Sequence, residues 1–124
     1  MQLDHGSHLT YCTNIHPGET WGEVFDSLKQ YLPPLRQKLS PGRPFGIGLR
    51  LSDQASRDLQ EGNVLEEFKS WLAQENLYVF TMNGFPYGGF HHQEVKDKVH
   101  HPDWTTEERV KYTVRLATIL AELL

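Results

Sequence analysis

Three stretches of this 124-residue sequence gather side chains suited to holding a small polar ligand. The first, HLTYCTNI, leads to Thr13, Asn14 and His16. The second, FGIGLRLS, leads to Arg50, Ser52 and Asp53. The third, LYVFTMNG with the loop FPYGGFHH behind it, offers Asn83, Phe85, Tyr87 and His91. Amides, hydroxyls and imidazoles exchange hydrogen bonds with ligand hydroxyl and carbonyl groups. An arginine inside an apolar strand must find a partner or a cavity. Aromatic walls beside a few polar groups are the usual makeup of a small-molecule pocket, here a carbohydrate or polyol pocket. Asn14, His16, Arg50, Asn83, Phe85, Tyr87 and His91 are therefore the candidate substrate-binding residues, and no catalytic residue is assigned. Each also has a plainer use. Asn14 and Asn83 are turn formers, His16 can cap its loop, and the three aromatics of the loop can pack it onto the body.

The elements that position these residues repeat. Each stretch reads as a strand, and each is followed by a helical pattern. Thr20-x-x-Glu23 is a capping box, and Trp21, Val24, Phe25, Leu28, Leu32, Leu35 and Leu39 form one apolar stripe behind it. Pro33-Pro34 inside that stripe is expected to kink or divide the helix. Ser52 or Asp53 can cap a second helix, which Glu61-Gly62 interrupts. Asn63-x-x-Glu66 restarts it with a box-like cap, and Asn76 is a plausible left-handed terminator. Thr105-x-x-Glu108 opens the last helix, with Val110, Val114, Ala117, Ala121 and Leu124 expected inward. Strands beginning near residues 9, 45 and 77 imply parallel βαβ crossovers. A (β/α)8 barrel uses about 31 residues per unit. The expected fold is α/β: the N-terminal three βα units of a TIM barrel, residues 1–124 forming one partial domain. The alternative is a complete three-strand domain, with two exposed edges. The apolar end at Leu123-Leu124 favours the incomplete barrel.

Composition narrows the classes. Twelve Lys plus Arg stand against 16 Asp plus Glu, a net charge of −4. That balance points to no nucleic acid, and no run of basic residues points to anionic lipid. No secretory signal or spanning segment is read, so no membrane insertion and a cytoplasmic location are expected. The single cysteine, Cys12, suits a reducing compartment and reads as a buried small apolar residue. Four of the seven histidines fall in two adjacent pairs between His91 and His101, a spacing that matches no standard metal motif. Gly42, Gly46 and Gly48 lie before or within a strand rather than after one, so they are no phosphate loop.

CTNIHPGE at the first exit, FGIGLRLS, and NGFPYGGFHH followed by VK and PDW resemble the Ebo-type metabolite traffic protein E family of bacteria. That family looks like part of the xylose isomerase-like, sugar phosphate isomerase/epimerase superfamily of TIM barrels. The resemblance runs from about Leu9 to Leu124. Asn83, Phe85, Gly88, Phe90 and the Glu107-Glu108-Arg109 helix start also loosely resemble the xylose isomerases themselves. It implies a protein about three times this length, of which the chain is an N-terminal fragment. It further implies the processing or movement of a small-molecule metabolite, with other proteins of the same gene cluster as partners. A divalent metal ion would serve the full-length protein, but the superfamily's metal ligands come mostly from later strands. In this sequence only His16 and His91 stand where an early-strand metal histidine occurs in some relatives. The implied activity is isomerase- or epimerase-like. The alternatives are a non-catalytic metabolite carrier on the same fold, or an inactive fragment.

Overall fold

The computed structural model describes residues 1–85 and 107–124. Three parallel strands, β1 (Thr10–Cys12), β2 (Phe45–Arg50) and β3 (Leu77–Asn83), form one sheet in the order β1-β2-β3. Among the described residues lie α1 (Trp21–Leu39), α2 (Asp53–Leu59), α3 (Val64–Gln74) and α4 (Glu107–Leu123). Sequential parallel neighbours with helical crossovers are the βαβ arrangement read from the sequence. None of the described helices is long and apolar enough to cross a membrane.

The two faces of the sheet differ in kind. Phe45, Ile47, Leu49 and Leu51 point to one face, where a single core also takes Trp21, Leu28 and Leu32 from α1, Leu59 from α2, Phe68 from α3 and Tyr112, Leu116 and Ile119 from α4. Trp21, Phe25, Phe68 and Trp71 interlock within it, the Trp21 and Phe68 rings meeting edge to face at 4.7 Å. The opposite face of β2 carries Gly46 and Gly48. A Cβ on Gly48 would lie 3.0 Å from Thr81 Oγ1, and one on Gly46 would lie 2.7 Å from the Met1 nitrogen. Glycine lets neighbouring groups close over the strand. The N-terminal segment lies on this face: Gln2 bridges His8, the His8 ring stacks on Phe80 at 4.2 Å, and His8 Nδ1 and the Met1 ammonium both meet the Tyr78 hydroxyl.

Several local expectations hold. Thr20 and Glu23 form the capping box, Ser52 Oγ accepts from the Ala55 amide, and Asn76 adopts φ 58°. Others need correction. The first strand stops at Cys12, and Thr13–Ile15 form a 3-10 turn. Pro33 and Pro34 do not divide α1, which runs through them as one helix because Leu28 and Leu32 before them and Leu35 after them are held by the same core. Asn63 makes no side-chain cap. Cys12 is exposed rather than buried. It shares the glycine face, and its cross-strand partner Gly48 has no side chain to cover it. In α4 the inward residues are Tyr112, Leu116 and Ile119, while Val110, Val114 and Leu124 face solvent. The Thr105 cap falls outside the described residues.

Tyr112 locks α4 to the sheet. Its hydroxyl donates to the Leu51 carbonyl beyond β2, and burial pushes the phenol far above its ordinary value. Tyr112→Phe strands that carbonyl and is expected to cost about 1–2 kcal/mol at neutral pH. Because the folded phenol holds its proton more tightly, its contribution is present below the unfolded value of about 10 and is lost as pH rises above it. Urea unfolding of both proteins should show the gap at pH 7 and a narrower one above pH 10. A gap that is absent at pH 7, or constant with pH, would refute this role.

Candidate functional site

The carboxyl ends of the strands bring together part of the set expected there. β1 ends in the 3-10 turn that carries Asn14, and β3 ends in Asn83. Asn83 Nδ2 donates to Asn14 Oδ1 at 3.1 Å and lies 3.4 Å from Cys12 Sγ. Two amides and a thiol thus converge from the outer strands, across the end of β2. Asn83 reaches this position through a bulge. Ile47 pairs with Val79, but Gly48 pairs with Thr81, which leaves Phe80 as the extra residue. The slip turns Thr81 and Asn83 to the glycine face and sends Met82 to the core side, opposite Leu49.

Arg50 is the register partner of Asn83, yet its side chain serves the fold as well. It is 4 % exposed, its Nη1 donates to the Gly18 carbonyl at 2.8 Å, and its Nη2 pairs with Glu19 at 3.2 Å. Its amide donates to Thr13 Oγ1 at 2.9 Å. Ser52 Oγ donates to the Glu19 carbonyl. The loop leading into α1 is therefore held by the end of β2 through Gly18 and Glu19. Glu19, Thr13 and Ser52 also belong to this end of the sheet, though none is among the binding residues expected from the sequence. Adjacency of Arg50 and a carboxylate in the preceding loop is the signal for Glu19, visible only once β1 and β2 are paired.

His16 turns elsewhere. Its Nε2 lies 2.9 Å from the Tyr11 hydroxyl, and its ring stacks on Tyr31 at 5.1 Å. Burial, and then Cys12, push the Tyr11 phenol above its ordinary value, so it stays protonated and can donate to that nitrogen. Tyr11 packs against the helix-side core, so His16 stands beside β1 on that side, away from the Asn14–Asn83 pair. Phe85 follows the strand end and is half-buried, and Gly84 beside it accepts from Arg109 of α4 at 3.4 Å. Tyr87 and His91 fall outside the described residues. No three His, Cys, Asp or Glu side chains gather as a metal-ligand set among the described residues.

No family model, no curated protein and no solved structure matches this chain.

The Arg50 guanidinium is the buried end of an ion pair whose other end, Glu19, is 42 % exposed. The two partners should respond unequally to truncation. Arg50→Ala removes a buried side chain and both of its loop contacts, an expected loss of about 2–4 kcal/mol. Glu19→Ala leaves the Gly18 and Thr13 contacts in place and should cost under about 1 kcal/mol. Chemical denaturation of the two variants measures the difference, and equal losses would show that Arg50 does not hold the loop.

Proposed function

We propose that this chain supplies part of a pocket for a small polar or sugar-like metabolite at the carboxyl ends of its strands. The observation that carries the reading is the meeting of Asn14, Asn83 and Cys12 on the glycine face, which none of the described helices covers, beside the buried Arg50. Side-chain amides present a donor and an acceptor each, the complement of a polyol's hydroxyls. Ligands of parallel α/β folds bind at this end of the sheet. The frame proposed for the pocket is a xylose isomerase-like (β/α)8 barrel. Two features support it: strands in sequential parallel order, and a core on one face of the sheet that draws on all four described helices. In such a barrel the helices lie outside and the other face turns inward. A doubly wound sheet would place helices on both faces.

Metabolite processing of the isomerase or epimerase kind, in the manner of the Ebo-type traffic proteins, is the activity proposed for the protein that contains this unit. The divalent ion implied by the resemblance has no fitting donor set among the described residues. His16 faces Tyr11 and Tyr31 there. The groups that do converge, two amides and a thiol, are binding groups, and that observation favours the second reading, a carrier on the same fold.

Calorimetric titration with a panel of aldoses, ketoses, polyols and sugar phosphates tests the pocket. At least one member should bind, and Asn83→Ala should weaken it about tenfold, near 1.4 kcal/mol. The variant's unfolding midpoint should stay close to that of the parent. Binding by no member of the panel, or equal binding by Asn83→Ala, would remove the proposal. Conversion of the bound sugar, followed by NMR, separates an enzyme from a carrier.

A further inference from the structure

The outer face of α4 carries an apolar stripe that the fold does not use. Val110, Val114, Ala117 and Ala121 lie on it, with Leu124 just past the helix end. Val110 is 45 % exposed, Val114 59 % and Leu124 74 %, and both alanines are exposed. Their spacing of four, three, four and three residues is that of a helix–helix seam. The buried residues Tyr112, Leu116 and Ile119 lie roughly 150° around the helix, at about 100° per residue. α4 therefore has two apolar faces, one spent on the sheet and one on solvent. A chain on its own seldom keeps so ordered an apolar strip exposed.

We propose that this stripe is a self-association surface, on which α4 of a second copy packs antiparallel. Two properties select a second copy as the occupant. The stripe is self-complementary: with the two-fold axis near Ala117, Val110 meets the far end of the other stripe and the small Ala117 side chains allow close approach. The flanking charges also match. Lys111 and Glu122 lie on the same flank of α4, and a two-fold axis brings like flanks together. Lys111 stands about 9 Å before Ala117 and Glu122 about 7.5 Å after it, at ~1.5 Å per residue. Each Lys111 then lies beside Glu122 of the other copy, and the pair occurs twice. In the single chain these groups make only solvent-exposed pairs, Lys111 with Glu107 at 3.5 Å and Glu122 with Lys69 at 3.7 Å. Such pairs exchange partners at little cost.

Five side chains per copy make a patch smaller than a standard interface, so the association is weak. Sedimentation equilibrium of the 124-residue protein, from about 10 μM to about 1 mM, should show mass rising from one chain toward two. Val114→Glu places charges across the seam and should keep the protein monomeric throughout. Val114 is exposed, so its unfolding midpoint should hold, and Val114→Ser gives a milder version of the same loss. Lys111→Glu and Glu122→Lys should each raise the dissociation constant about threefold to tenfold, and the double exchange should restore it. Mass that stays at one chain throughout overturns the proposal. So does a dimer that survives Val114→Glu, because it is built on another surface such as a strand edge. Charge exchanges that do not compensate overturn the antiparallel arrangement. None of these readouts depends on metabolite binding.

Discussion

Between Ile47 and Gly48 the ladder joining β2 to β3 slips by one residue, and Phe80 is left over. Side chains alternate along a strand, so one inserted residue exchanges the faces of all that follow. Leu77 and Val79 face the core before the slip. Unbroken alternation would send Thr81 and Asn83 into that core and Met82 out of it. The bulge reverses this. Met82 joins the apolar side beside Leu49, and Asn83 comes round to meet Asn14 and Cys12. Phe80, left over on the same face as Tyr78, finds cover under the His8 ring.

The central strand makes this tolerable. β2 is buried along its whole length, yet one of its faces holds only glycines until Arg50. Gly46 and Gly48 leave room for Tyr78, Thr81, Thr10 and the N-terminal residues to close over the strand. Arg50 ends the strand by tying the entrance of α1 to it through Gly18 and Glu19. Sheet, loop and helix start are thus joined at one point, and the amide pair sits beside that point.

Much of the frame is legible in the sequence. The Thr20–Glu23 box, the Ser52 cap, the left-handed Asn76 and the continuous apolar run of β2 are local signals, and local signals survive folding. Three readings depend on partners that no window contains. Cys12 looks like an interior strand residue until Gly48 is known to be its neighbour. α4 has two stripes of suitable period, and only contact with the sheet shows that Tyr112, Leu116 and Ile119 are the inner one. The bulge at Phe80 leaves no mark in LYVFTMN that distinguishes it from plain alternation. For the site, Asn14 and Asn83 were readable as strand-end amides, but their direct hydrogen bond was not. His16 shares the residue type and chain position of a site residue, and stacking with Tyr31 draws it aside.

The face assignment of the sheet underlies both the pocket and its amide pair, and Cys12 reports on it. As the sole cysteine it gives one unambiguous alkylation rate with iodoacetamide, in the native protein and in urea. An exposed thiol on the glycine face should react natively within about tenfold of its unfolded rate. Protection of about a thousandfold or more, the mark of a thiol released only by unfolding, would contradict the account.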